Sequence, residues 1–346
     1  MKIAIISDTH FGLKNDHPFF LEESLKFFEE QFFPYIQENK IEEVIHLGDL
    51  MDRRKYINFN TLNRVRSRFI SFFNKNNVRL HTVIGNHDAY YRNTNMVNSI
   101  QELFSESKNI IVYDEPTELN FDGLKIALIP WITNDNTNLC LDYIQNTSSS
   151  ILAGHFEING FEVVSGIYHS SGLESNIFFK FDKVLSGHFH IRQVKNNIHY
   201  VGTQYQMNFG DVLGKKGFNV LDTETREMTY IENKRRIFHI IKYDDVNGFE
   251  KIDPQEIRNC FVKVLVVNKK KPKAFESFID ILATCDLQEL TVIEESEKYE
   301  ESDNEIDMTQ DTISIITKEV DNMNQVEDKQ RLKLLLRELY MESMNI

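Results

Sequence analysis

Short clusters of aspartate, asparagine, histidine and glycine recur along this chain, each directly after an apolar run. Such side chains are good ligands for divalent cations, and two cations about 3.5–4 Å apart can clamp a phosphate and activate water. Because the apolar runs read as buried strands, the clusters would leave a sheet at its strand ends, where an open α/β sheet has its ligand crevice. The clusters are Asp8-Thr9-His10, Gly48-Asp49-Leu50-Met51-Asp52, Gly85-Asn86-His87-Asp88, Gly154-His155 and Gly187-His188-Phe189-His190. This pattern predicts a site with two metal ions that hydrolyses phosphate esters.

Spacing within the clusters fits one shared centre. Asp8 and His10 are two residues apart, as are His188 and His190, so an extended chain would point both members of a pair to the same side. A carboxylate that bridges two ions needs a rigid turn with its backbone close to the metals. Asp49 follows Gly48 directly, which suits that position.

All of these clusters, in this order, resemble the sequence blocks of the calcineurin-like metallophosphoesterase superfamily. The resemblance implies two divalent metal ions, with manganese expected and magnesium as the alternative. It implies one ion held by Asp8, His10, Asp49 and His190, and a second ion held by Asp49, Asn86, His155 and His188.

The same resemblance implies catalytic residues beside the ions. His87 matches a family histidine that is not a ligand and that stabilises the transition state or protonates the leaving oxygen. Asp88 or Asp52 is expected to orient imidazoles. Some relatives carry histidine where Asp52 stands, a residue linked to exonuclease action, so this chain departs from the pattern there. The remaining histidines are predicted to be structural: His17, His46, His81, His169, His199 and His239.

Composition indicates a globular enzyme. The chain has 346 residues, 41% of them hydrophobic, and 26 phenylalanines, enough for one large core with an appendage. No apolar run approaches the ~18 residues of a membrane span, and the run at 3–6 is too short for a signal-peptide core. The chain is therefore expected in the cytoplasm, without membrane contact. Cys140, Cys260 and Cys285 show no paired spacing, so neither a disulfide framework nor a zinc ribbon is predicted.

The net charge of −14 argues at first sight against nucleic acid. However, nine acidic residues and a single base, Lys298, lie between Glu294 and Asp311, so much of that charge is local. Phosphate contacts depend on local basic patches. Each patch alone is more often a solvated surface, but beside a phosphodiester-cleaving site the patches predict DNA binding. The predicted DNA-binding residues are Arg53, Arg54, Lys269, Lys270, Lys271 and Lys273.

Hydrophobic periodicity predicts an α/β fold. Apolar residues at helical spacing predict helices at 18–33 and 61–73, and short strands with turns follow residue 110. We predict two sheets packed as a sandwich and flanked by helices over residues 1–231, a four-layer arrangement if the resemblance holds.

After residue 231 the sequence predicts a small domain, a linker and two helices. Residues 232–293 predict a DNA-binding cap with a βαβ unit, its strands at 261–267 and 290–293 and its helix at 273–285. Residues 294–312 read as an acidic, self-repelling linker. Residues 313–346 predict two amphipathic helices that bind a partner. The second helix carries the predicted contact residues Leu332, Leu335, Leu336, Leu339 and Tyr340.

This order of parts resembles the nuclease subunits of the SbcC–SbcD type, relatives of the eukaryotic Mre recombination nuclease, and most of all the versions of tailed bacteriophages. The resemblance implies a manganese-dependent enzyme that degrades double-stranded DNA from the 3′ end and nicks single strands, in DNA recombination, repair and replication. It implies an SMC-like ATPase partner of the SbcC type, bound through the C-terminal helices. It also implies a homodimer. Phe69, Phe72 and Phe73 facing the segment 96–104 across a two-fold axis are the predicted contact, with core packing inside one chain as the alternative.

Two other functions compete with a nuclease. A protein or small-molecule phosphatase of the same superfamily is one. Residues 48–53 match the Gly-Asp-x-x-Asp-Arg-Gly block of the protein phosphatases, although Arg54 replaces the last glycine and Asp88 replaces a glutamate. The other is a catalytically silent scaffold that tethers an ATPase. The complete ligand set argues against the scaffold.

Overall fold

The structure is a computed structural model that describes residues 1–248, 253–294, 317, 320 and 329–344. It divides into two compact units, the first formed by Met1–Met207 with Lys215–Lys234 and the second by Asn208–Gly214 with Arg235–Ile346. A single boundary at residue 231 does not capture this division, because Asn208–Gly214 precede the end of the first unit and belong to the second. The functional roles assigned to the parts stay predictions.

Strands begin and end close to the apolar runs of the sequence. They are β1 Lys2–Ile6, β2 Glu43–His46, β3 Arg79–Val83, β4 Ile110–Tyr113, β5 Thr117–Phe121, β6 Leu124–Ile129, β7 Ile151–His155, β8 Glu162–Val164, β9 Ile167–Tyr168, β10 Lys183–Gly187, β11 Gln193–Lys195, β12 Ile198–Tyr200, β13 Gly217–Asp222, β14 Met228–Glu232, β15 Phe238–Asp244, β16 Phe261–Asn268 and β17 Glu289–Glu294. In the first unit they form two six-stranded sheets, with the orders β14-β13-β1-β2-β3-β4 and β11-β12-β10-β7-β6-β5.

The two sheets pack face to face. Because side chains alternate along a strand, Ile3 and Ile5 of β1 face the second sheet, whereas Ala4 and Ile6 face the helices of the first. The second sheet likewise presents one face to the first sheet and the other to α7 (Thr137–Asn146). The unit is therefore a four-layer sandwich of helices, two sheets and helices, and the predicted fold class is confirmed.

The helices that cover the first sheet are interrupted by wider turns. Pro34 lacks an amide hydrogen and cannot continue a regular α-helical bonding pattern. The chain passes through a π turn at Phe28–Phe32, where the Phe33 amide donates to the Phe28 carbonyl. The helices in the described residues are α1 Leu13–Asp16, α2 Pro18–Phe27, α3 Phe33–Glu38, α4 Phe59–Arg64, α5 Ser71–Asn76, α6 Ser99–Phe104, α7 Thr137–Asn146, α8 Pro272–Ala283 and α9 Lys329–Met344, with π turns at Phe28–Phe32 and Val65–Ile70 and 3-10 turns at Ser175–Phe178 and Phe209–Asp211. The short α1 is a left-handed turn, because Lys14, Asn15 and Asp16 have positive φ angles.

The aromatic stripe on the second covering helix lies in the core. Phe69 and Phe73 are completely buried within the chain, and Phe72 stacks on Phe33 with ring centroids 3.8 Å apart. The prediction that these phenylalanines form a dimer contact is wrong, because both helices turn their aromatic faces toward each other and the first sheet.

The second unit contains the predicted βαβ element and one strand more. β15, β16 and β17 form a parallel sheet, and α8 connects β16 to β17 and packs Phe275 and Leu282 against it. β15 was not predicted from the sequence.

Only part of the C-terminal prediction lies in the described residues. Val320 is helical and buried within this chain. In α9, Leu335 is exposed and Leu332 and Leu336 are half-buried. The side chains of Leu339 and Tyr340, and residues 295–312, lie outside the described part. Within the described ranges, no helix is both long enough and apolar enough to cross a membrane.

A polar network around the buried Glu43 connects neighbouring strands of the first sheet. The Glu43 carboxylate is 1% exposed and accepts hydrogen bonds from Arg79 and from Nε2 of His81, which lies 2.8 Å away. The hydroxyl of Tyr113 lies 2.7 Å from Nδ1 of His81. Burial raises the pKa of Glu43, but His81 and Arg79 outweigh it and hold that pKa below its ordinary value of 4.5.

We expect Glu43→Gln to lower the free energy of unfolding by about 1–3 kcal/mol at neutral pH, because buried donors lose a charged acceptor. Since the folded-state pKa of Glu43 is depressed below 4.5, this stabilisation is present above that value and disappears as the pH falls through the folded-state pKa. Urea unfolding at neutral pH and at about pH 3 measures the difference. Glu118→Gln, which breaks an ion pair with Lys125 near the surface, is the control and should change little. A difference between Glu43→Gln and the wild type that survives at low pH would contradict the assignment.

Candidate metal centre

The polar clusters converge at the carboxyl ends of strands from both sheets. Asp8 and His10 follow β1, Asp49 follows β2, and Asn86 and His87 follow β3 in the first sheet. His155 ends β7, and His188 and His190 follow β10 in the second sheet. Parallel strands bring these ends to one edge of each sheet, and face-to-face packing brings the two edges together. The sandwich thus gathers residues that are far apart in sequence.

One group of donors surrounds His10. Its Nε2 lies 3.1 Å from Nε2 of His190, 3.7 Å from Oδ2 of Asp49 and 4.0 Å from Oδ1 of Asp8. The backbone amide of His188 donates to both oxygens of Asp8 at 3.1 and 3.2 Å, which ties the two sheets together at this point. Asp8, His10 and Asp49 are buried.

A second group lies on the other side of Asp49. Oδ2 of Asp49 is 3.4 Å from Nε2 of His155, and Oδ1 of Asn86 is 2.9 Å from both that nitrogen and Nδ1 of His188. The same Asp49 oxygen therefore faces both groups. This is the position that a bridging carboxylate requires.

Electrostatics in the site follow from buried carboxylates facing imidazoles. Burial lowers the pKa of His10, but a hydrogen bond to Asp52 and the charge of Asp49 outweigh it and raise that pKa to about 9. Burial also lowers the pKa of His155, and Asp49 and Asp8 raise it to about 9. Burial raises the pKa of Asp49, yet the surrounding histidines hold it well below its ordinary value. At His188 burial is the largest effect, and it lowers the pKa to about 3.

This donor set fits divalent cations. The gathered atoms are carboxylate oxygens, an amide oxygen and imidazole nitrogens, the hard and borderline ligands that suit manganese, magnesium or zinc. Three triplets each have ligand atoms within 4.8 Å of one another. They are Asp8 with His10 and His190, His10 with Asp49 and His87, and Asp8 with Asp49 and His155. The carboxylates are too deeply buried to remain charged without positive neighbours.

The backbone is strained at several predicted ligands. Asp8, His10, Asp49 and His188 have φ angles of 52°, 44°, 58° and 85°, a region that residues with a side chain rarely adopt. Such conformations cost of order 1–3 kcal/mol each and cluster at functional sites. Gly85 has no room for a side chain, because a Cβ there would collide with the backbone and carboxylate of Asp49. The backbone is therefore held in an unfavourable conformation at these residues.

Comparison with known proteins agrees with this geometry. Residues 1–192, more than half of the chain, match the family model described as calcineurin-like phosphoesterase. The chain belongs to the calcineurin-like phosphoesterase family. The predicted superfamily and the predicted class of enzyme, a hydrolase of phosphate esters, are confirmed.

Two relatives extend the similarity of this phosphoesterase beyond that match. Exonuclease subunit 1 of Enterobacteria phage T4 is 32% identical over 352 residues, covering 99% of this chain and 99% of the relative. The SbcD subunit of the SbcCD nuclease from Staphylococcus epidermidis is 25% identical and covers 66% of this chain and 67% of that protein. The predicted resemblance to SbcD-type and phage proteins is confirmed.

Asp88 binds backbone amides in the phosphoesterase, and of the two candidates for orienting an imidazole, Asp52 is the one that faces a histidine. The buried Asp88 carboxylate accepts hydrogen bonds from the backbone amides of Gly85, Asp49 and Leu50 at 2.9, 2.7 and 3.0 Å. The Met51 amide and the Ser99 hydroxyl also donate to it. Asp88 therefore holds the turn that carries Asp49. Sequence reasoning missed this role because the bonded groups are backbone atoms.

Asp52 and His87 lie beside the predicted ligands. Oδ1 of Asp52 is 3.2 Å from Nδ1 of His10, so its imidazole partner is His10. The His87 amide donates to Oδ1 of Asp49 at 2.7 Å, and Nδ1 of His87 donates to the Asp52 carbonyl at 2.6 Å. The Nε2 atom of His87 is left to act on a substrate or to bind an ion. Both roles stay predictions.

Two further residues near the centre were not predicted from the sequence to belong to the site. Trp131 packs against His155 and His188, with ring centroids 5.7 and 5.2 Å away. Buried Lys216 donates to the His190 carbonyl at 3.1 Å and to the Thr203 hydroxyl at 2.8 Å. Such residues are recognised only once the fold brings them together.

The predicted DNA-binding residues differ in whether they are exposed and whether they already pair with a carboxylate of this chain. Arg53 pairs with Asp16 at 3.4 Å, whereas Arg54 is half-buried and makes no salt bridge within the residues that the structure describes. Lys269 pairs with Glu294 at 2.7 Å and lies 4.4 Å from the ring centroid of Phe275. The side chains of Lys270, Lys271 and Lys273 are exposed.

Proposed function

We propose that this chain is the nuclease subunit of a DNA-processing complex, with manganese-dependent 3′ to 5′ exonuclease activity on double strands and endonuclease activity on single strands. One observation carries the proposal: a single buried oxygen of Asp49 faces two groups of ligands, one around His10 and one around His155. Support for DNA as the substrate comes from two relatives whose names describe an exonuclease subunit and a nuclease subunit. The proposal places the enzyme in DNA recombination, repair and replication.

Ligand roles in the proposal follow the two groups. Asp8, His10, Asp49 and His190 would hold one ion, and Asp49, Asn86, His155 and His188 the other. Bound divalent ions would supply Lewis-acid polarisation of the phosphate and an activated water. The chain's own contribution is to exclude solvent from Asp8 and Asp49, which are buried, and to fix the orientation of imidazoles through their second nitrogen.

In three imidazoles the second nitrogen faces an identifiable oxygen atom. Nδ1 of His155 donates to the Leu47 carbonyl at 2.7 Å, which leaves Nε2 to face Asp49 and Asn86. Nδ1 of His10 faces Asp52, which leaves Nε2 for the centre. Nδ1 of His87 is engaged by the Asp52 carbonyl, so Nε2 is the atom that can exchange a proton with the leaving oxygen. We propose that His87 acts on the substrate and is not an obligatory ligand.

Two variants test this division of roles. Asp49→Asn is expected to weaken binding of both ions and to abolish hydrolysis of linear duplex DNA and of bis-p-nitrophenyl phosphate, because both ligand groups lose their shared charged oxygen. His87→Ala is expected to retain two ions and to lose turnover by about 10²–10⁴-fold, the usual contribution of a general acid. Metal content by mass spectrometry, together with steady-state kinetics in manganese, checks both.

Two results would contradict the proposal. A missing ion in His87→Ala would make His87 a ligand, as its place near His10 and Asp49 allows. Hydrolysis of a phosphopeptide in preference to DNA would favour the phosphatase alternative.

We propose that Arg54 and the exposed lysines Lys270, Lys271 and Lys273 bind DNA phosphates. These residues are favoured over Arg53 and Lys269, because Arg53 and Lys269 already pair with carboxylates of the chain. The amides of Lys270 and Lys271 donate to Asp245 at 2.9 and 2.6 Å, which holds the turn that presents their side chains.

Replacing Lys270, Lys271 and Lys273 by alanine is expected to weaken DNA binding. It should also flatten the dependence of log K on log salt by about 0.9 for each phosphate that is no longer neutralised. Lys269→Ala is the matched control and should leave the slope unchanged, and Arg53→Ala serves in the same way for Arg54→Ala. Fluorescence anisotropy across a salt series gives the slope. An unchanged slope in the triple variant would mean that these lysines are solvated and do not contact DNA phosphates.

We propose a homodimer through a surface that differs from the buried aromatic stripe. Tyr56, Phe59 and Met96 are 70%, 84% and 82% exposed. Single exposed apolar residues are normal on a monomer, whereas a group of them often marks an interaction surface. Tyr56 lines one cavity with Val97 and Leu103, which connects the segments that carry these residues. A monomeric mass by light scattering at micromolar concentration would exclude this dimer.

We propose that α9 binds an SMC-like ATPase of the SbcC type. Support comes from Leu334 and Leu335, which are 45% and 51% exposed on this helix, and from the relatives whose names call them subunits. Leu335→Asp is expected to abolish co-purification with the ATPase while basal hydrolysis of bis-p-nitrophenyl phosphate persists. Loss of bound metal in Leu335→Asp would instead assign α9 to the enzyme's own fold.

A further inference from the structure

His46 lies at the end of β2, completely buried between the first two polar clusters. Its Nδ1 accepts a hydrogen bond from the Gly48 amide at 3.2 Å, and its Nε2 lies 3.1 Å from the Thr9 hydroxyl. That hydroxyl donates to the Leu50 carbonyl at 3.0 Å. One imidazole therefore connects the loop after β1 with the loop after β2.

The direction of each bond in this chain of hydrogen bonds is determined. A backbone amide can only donate, so Nδ1 of His46 must be the acceptor and Nε2 must carry the proton. The Thr9 hydroxyl donates its own hydrogen to the Leu50 carbonyl and accepts from His46. We call this chain from the Gly48 amide through His46 and Thr9 to the Leu50 carbonyl the relay, and every donor in it has one acceptor. Such a relay transmits position, because no member can rotate without leaving a buried polar group unsatisfied.

The loops that His46 connects are the strained ones. Asp8 and His10 flank Thr9, and Asp49 follows Gly48, and all three ligands have positive φ angles. Backbone bonds also join the loops, from the Asp8 amide to the Gly48 carbonyl at 3.0 Å and from the His10 amide to the Asp49 carbonyl at 3.1 Å. These bonds set the spacing of the loops. They do not engage the Gly48 amide, which His46 holds.

We propose that His46 is a positioning residue that connects the Asp8-Thr9-His10 loop to the Gly48-Asp49-Leu50 turn. In this way it fixes the position of the Asp49 carboxylate. The inference rests on the proposed two-metal centre. Both ring nitrogens of His46 are engaged by Thr9 and Gly48, so the residue acts through them and not as a ligand.

Two conservative variants separate the halves of the relay. Asparagine places its amide oxygen as many bonds from Cβ as Nδ1 of histidine, so His46→Asn can keep the bond from Gly48 and loses the one to Thr9. Glutamine places its amide nitrogen as many bonds from Cβ as Nε2, so His46→Gln can keep the bond to Thr9 and loses the one from Gly48. His46→Leu loses both. Thr9→Val breaks the relay from the other end.

We expect His46→Leu to weaken manganese binding by about 10–100-fold, the usual effect of removing a group that orients ligands. His46→Asn and His46→Gln should each recover part of that loss. The double variant with Thr9→Val should bind manganese no worse than His46→Leu alone, because both changes break one relay. Isothermal titration with manganese on the full chain measures affinity and stoichiometry without any reaction.

His81→Leu is the matched control, since His81 is another buried strand histidine with polar partners, Glu43 and Tyr113, and it belongs to neither of the loops that His46 connects. It should lower the melting temperature of the metal-free protein and leave manganese affinity unchanged. Wild-type affinity in folded His46→Leu, or equal loss of affinity in His81→Leu, would overturn the inference. If His46→Leu fails to fold, Thr9→Val decides the question. A wild-type chain that binds no manganese would refute the metal centre itself.

Discussion

The structure depends on one constraint, that the Asp49 carboxylate must lie between histidines from two different sheets. Asp49 reaches this place through a turn with a φ angle of 58°, directly after Gly48 at 93°. Its amide is held by Asp88 and one of its oxygens by the His87 amide. Only glycine fits at position 85, where a Cβ would displace Asp49. The residues around Asp49 therefore matter for the backbone that they permit as much as for their chemistry.

The distance between the two ligand groups is set by the packing of the sheets. Residues such as Ile5 and Ile45 of the first sheet meet Ile126 and Leu185 of the second in a fully buried layer. Protein interiors are close-packed, so a change of volume in this layer shifts one sheet relative to the other. The predicted ligands move with the sheets, because Asp8 and Asp49 leave one sheet and His155 ends a strand of the other. Core residues with no polar side-chain atom thus contribute to the geometry of the site.

Much of the fold, and the residues that meet at the candidate site, could be predicted from the sequence, because both depend on local signals. Parallel central strands appear as continuous apolar runs, and the polar clusters follow them at once. What could not be predicted depends on tertiary contacts. The aromatic stripe of Phe69 and Phe73 has the same spacing whether it covers a sheet or a second copy of the chain, and only the structure shows it buried. Likewise, Asp88 binds amides that no side-chain motif reveals.

Strain is distributed unevenly between the two halves of the centre. Among the predicted ligands, Asp8, His10 and Asp49 in the half from the first sheet have positive φ angles. In the half from the second sheet His188 alone does, and His155 belongs to a regular strand. Strained conformations persist only where the surroundings over-determine them. The surroundings do so here through paired backbone bonds between the loops, through Asp88 beneath the turn and through His46 between them. The half of the site with the most demanding backbone is thus the half that these buried polar groups support without being ligands, and this is why their loss should affect metal binding before it affects the sheets.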